Sequence, residues 1–131
     1  MPRGLSAAED LVRRFYDAFA AEDLEAMVAT LHPEVELVTA RGPRYGHEGA
    51  RVWATRVPGG DLEQRVVLDG VREHGDRAVA LIRRQWWWRE QDKLAEEEEL
   101  AALFELRDGL IGRVVTAEDR ASALASAGIE V

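Results

Sequence analysis

The chain has 131 residues, enough for one domain and too few for two ordinary ones, and a core of that size needs no disulfide or metal staple. It contains no cysteine, which excludes disulfide frameworks, thiolate metal sites and cysteine nucleophiles. The net charge is −8, and only residues 41–65, with five arginines against three acids, are locally positive, so the charge argues against nucleic acid as a partner. The N-terminal stretch Met1 to Asp10 has charges and a glycine where a signal peptide needs an apolar run. No stretch approaches the about 18 apolar residues of a membrane span. One cytoplasmic domain over residues 1–131, making no contact with membranes, is the expectation.

Ser6 followed by Glu9 is a capping-box signal, and Leu11, Val12, Phe15, Tyr16 and Phe19 step by three and four behind it, which predicts an amphipathic helix over residues 7–21. Asp23 is placed to cap a second helix with Leu24, Met27, Val28 and Leu31 as its buried face. His32 closes that helix in preference to acting as a general base, because proline at 33 disfavours helix in its predecessor. Val35, Leu37 and Thr39 alternate with Glu36 and Val38 as a half-buried strand that Arg41-Gly42-Pro43 ends. Tyr45 to Gly49 reads as a turn into a short helix through Trp53, stopped at Pro58-Gly59-Gly60. Residues 65–73, the turn Gly75-Asp76 and residues 78–88 make a long hairpin.

Residues 94–107 stand open between two readings. Their composition has high helix propensity, with Leu100, Leu103 and Phe104 at helical spacing, and favours a helix. As a strand, Leu100, Ala102, Phe104 and Leu106 share one face instead. Asp108-Gly109 turns the chain into a last strand over residues 110–115, and a short helix over about residues 117–126 stops at Gly128.

Several weak motifs occur in a telling order: Leu11 to Phe19, Glu22-Asp23-Leu24, Leu31 to Leu37, Gly42-Pro43 through Gly46-His47-Glu48-Gly49, Gly75-Asp76-Arg77, and Leu106 to Ile111. In this order nearly the whole chain resembles the SnoaL-like branch of the nuclear transport factor 2-like superfamily. The resemblance implies an α+β fold in which a strongly curved, mostly antiparallel sheet wraps around N-terminal helices, a cystatin-like cone with an internal pocket. It also implies that residues 97–107 are a strand.

That fold is shared by isomerases, cyclases, hydrolases and non-catalytic binding subunits, so individual residues must decide the chemistry. The positions that ketosteroid isomerases of the superfamily use fall here on Phe15, Thr39 and Ala102, which supply neither a base nor enolate-steadying donors. The proposed acid–base aspartate of SnoaL-like polyketide cyclases falls on Asp119, eight residues after Ile111, where a buried carboxylate could relay a proton. A structural reading of Asp119 competes and is favoured. Thr116 and Asp119 have Thr-x-x-Asp spacing at the start of the final helix, which predicts a capping carboxylate outside the pocket, bonded to amides near residues 116–119.

Aromatic walls with few polar groups mark small-molecule sites, so Phe15, Phe19, Trp53 and Trp87 are read as pocket lining, with Tyr16 at the edge. Arg83 and Gln85 add polar contacts if their face is inward. Trp86 and Trp88 alternate with Trp87, so residues 78–88 are apolar on both faces. That predicts a homodimer through the outer face, the alternative being a C-terminal segment that covers one face. His32, His47 and His74 lack metal-ligand spacing, and no metal or cofactor is expected. Ser6, Ser122 and Ser126 sit in no nucleophile elbow, Gly42, Gly46 and Gly49 read as turn glycines, and Glu96 to Glu99 reads as a solvated hairpin end. The leading reading is a protein that holds a small, largely apolar molecule. The alternative is an acid–base enzyme of the polyketide cyclase or isomerase type using Asp119.

Overall fold

The computed structural model describes residues 7–39, 42–54 and 62–129. Helix α1 (Ala7–Ala20) forms as its spacing predicts, and Leu11, Val12, Phe15 and Tyr16 are its buried stripe. Glu9 accepts from Arg13 Nε at 2.8 Å one turn on, while the Ser6 half of the capping box lies outside the described residues. Asp23 caps α2 (Leu24–Val28), its Oδ1 accepting from the Ala26 amide at 3.1 Å.

The second helix is shorter than the sequence suggests. The Thr30 amide and hydroxyl both donate to the Met27 carbonyl, at 3.1 and 2.7 Å, and the Thr30 carbonyl accepts from the Ile111 amide at 2.9 Å. These bonds turn the chain into strand β1 (Leu31–Thr39), so His32 does not close a helix but lies in the strand. Pro33 is tolerated because it falls between Leu31 and Glu36, where the pairing register shifts. A second difference follows Thr39. Gly42 to Pro43 does not merely end a strand but opens one, β2 (Gly42–Tyr45), which pairs antiparallel with β1 before α3 (Gly46–Ala54).

Four long strands complete the sheet: β3 (Leu62–His74), β4 (Arg77–Trp88), β5 (Lys93–Arg107) and β6 (Leu110–Ala117). Among the described residues the spatial order is β2-β1-β6-β5-β4-β3, open at both edges, with β1 and β6 the one parallel pair. Asp108 and Gly109 both have positive φ, 53° and 78°, the twist a two-residue hairpin turn requires. Register shifts at Leu68/Gly70, Trp86/Trp87 and Glu105/Leu106 are bulges, which bend strands and deepen the twist. The result is the α+β fold with a mostly antiparallel sheet around the N-terminal helices. No helix among the described residues is long and apolar enough to cross a membrane.

Residues 93–107 are a strand, which covers the 97–107 that the resemblance implies and goes against their helix propensity. Leu100, Ala102 and Phe104 are buried on the inner face, in the same core as α1. The glutamate run is no free hairpin end. Glu97 bonds Arg83 and Gln85, Glu98 bonds Arg84, and Glu99 bonds Arg120.

The outer face carries a second, smaller core of Val79, Ala101, Ala123, Leu124 and Ala127, made by packing α4 (Arg120–Ser126) on the sheet. The helix ends in a Schellman motif: the Ile129 amide donates to the Leu124 carbonyl at 2.9 Å, the Gly128 amide to Ala125 at 3.0 Å, and Gly128 takes φ +78°. Its start is clamped by Arg120, which donates to the carbonyls of Leu100 (3.0 Å) and Ile82 (2.8 Å) and to Asp69 (2.9 Å). Arg120→Met is therefore expected to lower unfolding free energy by about 2 kcal/mol in urea titration, since bonds to charged groups contribute more than neutral ones. Arg14→Met, which loses an exposed pair with Asp10 at 2.9 Å, should cost less than about 0.5 kcal/mol.

Candidate ligand pocket

Between α1, α3 and the inner face of the sheet lies a cavity of about 430 Å³, within the size range of small-molecule sites. Burial grades its lining from floor to rim. Tyr16, Ile82, Leu100 and Val114 are buried, Gln64, Val66 and Arg84 are half-buried, and Thr116 and Glu118 at the open end are exposed. One wall is aromatic: Phe19 and Trp53 stack with ring centroids 5.4 Å apart and planes 30° apart.

The structure brings Tyr16, Phe19 and Trp53 together in this lining, as their residue types suggest. Tyr16 belongs to the floor rather than the edge, with 8% of its surface exposed. Its ring meets Phe15 and Phe104 edge-on, and burial pushes its hydroxyl pKa far above the usual tyrosine range, so it stays protonated at physiological pH. Phe15 does not line the cavity. It is fully buried behind it, stacked on Trp53 at 5.9 Å, and acts as a backstop for the aromatic wall.

Trp87 is also outside the lining, for a reason of parity. Side chains alternate along β4, and with Ile82 and Arg84 facing the cavity, Arg83, Gln85 and Trp87 take the outer face. There the Trp87 ring lies 4.4 Å beneath the Arg65 guanidinium and its indole N–H donates to Gln85 Oε1 at 2.9 Å. Arg83 is bonded to Asp69 at 2.9 Å and Glu97 at 3.3 Å on that same outer face. The inward arginine is Arg84, which sequence reasoning missed, and the parity set by Ile82 was the signal for it. Arg84 Nε donates to Glu98 at 3.0 Å across the β4–β5 pair, where the two residues stand in register. Glu118, Thr116 and Gln64 were missed as well, and no local motif marks them.

Asp119 is the N-cap of α4, with extended backbone at φ −108°, and the helix begins at Arg120 rather than near Ala117. Its Oδ1 accepts from the Ala121 amide at 3.0 Å and its Oδ2 from the Ser122 hydroxyl at 2.6 Å. The cap is thus Asp119 itself, bonded downstream of residues 116–119, while Thr116 stays in β6 at the cavity rim. It is exposed and does not line the cavity. The Ser122 hydroxyl, and after it the Ala121 amide, hold its pKa below the ordinary 3.8, the opposite of what a general acid needs. Of the histidines, His47 Nε2 lies 3.0 Å from the Leu31 carbonyl, and His32 Nδ1 accepts from the Glu34 amide at 3.0 Å. No group of residues among those described could hold a metal ion.

Because Asp119 ionises more readily folded than unfolded, its cap contributes stability above the unfolded pKa and loses it as pH falls through the folded value, below 3.8. Asp119→Ala is therefore expected to melt a few degrees below wild type at neutral pH by circular dichroism, with the gap narrowing at about pH 3. Asp119→Asn, which keeps an acceptor, should stay close to wild type. An alanine variant that melts like wild type at neutral pH counts against the cap.

Residues 12–114 match the family model of the SnoaL-like domain. No curated protein is significantly similar in sequence. Among solved structures, TerC, co-crystallised with polyporic acid, is 24% identical with a TM-score of 0.74, over 93% of this chain and 98% of that one. An NTF2-like protein of unknown function from Burkholderia pseudomallei is 22% identical, TM-score 0.73, over 94% and 98%. A cystatin-fold protein from Novosphingobium aromaticivorans is 18% identical, TM-score 0.64, over 86% and 98%. At these identities the structures show a shared fold, and the family match over most of the chain shows membership: the protein belongs to the SnoaL-like domain family of NTF2-like folds.

Proposed function

We propose that the protein binds a small, largely apolar molecule in the cavity between α1, α3 and the sheet. The observation that carries this reading is the cavity itself, about 430 Å³, with a stacked Phe19–Trp53 wall and a buried apolar floor. Co-crystallisation of TerC with polyporic acid supports it, since that relative's shared fold has held a small organic molecule. Proton transfer by Asp119 is not part of the reading, because both its carboxylate oxygens serve the helix cap.

Self-association is proposed on narrower ground than the sequence offers. The outer-face residues Val79 and Leu81, which motivate a second subunit, pack with the chain's own α4. What remains is Leu62, Trp88 and Leu94, 38–40% exposed at one end of the β3–β4–β5 arm.

The fluorescent probe phenylnaphthylamine tests the binding reading. Saturable, blue-shifted emission at one probe per chain is expected from the wild type, and its loss from Val66→Trp, which fills the cavity from its half-buried wall, provided the variant keeps wild-type circular dichroism. Emission that never saturates, or that survives in the filled variant, overturns the reading. Sedimentation at micromolar concentration should give twice the 14.6 kDa chain mass, and a clean monomer refutes self-association.

A further inference from the structure

The polar groups of the cavity specify more than an apolar guest. Tyr16 is buried and its hydroxyl has no hydrogen-bond partner among the described residues, yet among those residues no sealed side-chain oxygen or nitrogen is left unsatisfied. The hydroxyl is therefore open to the cavity that Tyr16 lines. A phenol whose ring is held against Phe15 and Phe104 keeps its proton, so its hydroxyl offers a positioned donor to an acceptor in the cavity. It is distinct from the position occupied by Phe15, being turned about 100° around the helix from it.

Arg84 supplies the second donor. Its Nε and Nη2 both bond Glu98 Oε2, which leaves the N–H groups of Nη1 without a partner among the described residues. A guanidinium has five N–H donors, and one carboxylate oxygen occupies only part of that fork. The one acid among the described lining residues, Glu118, is exposed at the rim, where water screens its charge.

We propose that the pocket selects a small aromatic acid, whose flat apolar body lies against Phe19 and Trp53 while its anionic oxygen accepts from the Tyr16 hydroxyl and the Nη1 of Arg84. This rests on the cavity being a binding site and adds the class of ligand. Of the two fixed donors, Tyr16 sets where the oxygen sits and Arg84 sets its charge.

Two probes that differ by one sulfonate separate this claim from its parent: neutral phenylnaphthylamine and anionic anilinonaphthalene sulfonate. The quantity read is the ratio of their affinities for the full chain. Arg84→Gln is expected to lower the sulfonate-to-neutral ratio about tenfold or more, and Tyr16→Phe to lower it by about threefold or more, as charged hydrogen bonds are lost. Because Arg84→Gln also bares Glu98, the double variant Arg84→Gln/Glu98→Gln is the decisive control: the ratio should stay low. Recovery of the wild-type ratio in the double variant, or an unchanged ratio in both single variants, overturns the aromatic-acid assignment while leaving the binding reading intact. Failure of the neutral probe to bind wild type overturns the binding reading first and this one with it.

Discussion

Across β4 and β5, Arg83 and Arg84 stand in register opposite Glu99 and Glu98, and this alignment fixes a segment whose own composition prefers a helix. Four successive glutamates repel one another and alternate between both faces of a strand, so an isolated Glu96–Glu99 run has no reason to be extended. The arginines remove that objection. Arg84 meets Glu98 on the inner face, and Arg83 and Arg120 meet Glu97 and Glu99 on the outer one. Each pair is partly exposed and screened by water, so the larger effect is positional. A slip of one residue would drive Glu99 and Glu97 into the apolar core and bring Leu100, Ala102 and Phe104 out to solvent, a penalty no surface ion pair offsets.

The pocket inherits its shape from that register. With β5 fixed, Leu100 joins Ile82 and Val114 in the cavity floor, and Phe104 backs Tyr16 and Phe15. The same register places the carbonyls of Ile82 and Leu100 where Arg120 reaches both, so the helix that covers the outer face is anchored to the strands that build the inner one. Asp69 completes the clamp. Its partial burial opposes ionisation, but the bonds from Arg120 and Arg83 outweigh that and hold its pKa below the ordinary aspartate value. Inner pocket and outer cover thus share one electrostatic joint.

How much of this could be read from the chain depends on whether the deciding contact is local. The cap at Asp23, the Asp108-Gly109 turn and the Gly128 stop involve neighbours in sequence, and each forms where expected. The end of α2 was hidden because it is set by the Ile111 amide, about eighty residues away along the chain. Strand β2 is four residues with a glycine and a proline, and only pairing with β1 makes it a strand. The aromatic wall was legible as residue types, yet helical periodicity does not tell which of two adjacent buried aromatics reaches the cavity, and it is Tyr16 rather than Phe15. Trp87 was misplaced because α4 makes the outer face of β4 apolar too, which erases the inside–outside contrast that assigns parity on a half-buried strand.

The same one-residue sensitivity separates the acids at the end of β6. The strand stops at Ala117, leaving Glu118 on the cavity rim in water and turning Asp119 away to cap α4. Proton transfer among apolar walls needs a carboxyl group withdrawn from solvent, because desolvation is what brings its pKa towards neutrality. Among the described residues that line the cavity, the buried ones are Tyr16 and aliphatic side chains, and the one acid is at the open end. Glu98, the carboxylate nearest the wall in register, is held by Arg84. Among the described residues, the cavity lining thus offers donors and no withdrawn carboxyl, and the desolvation that a proton relay requires is missing at Asp119, which caps α4 instead.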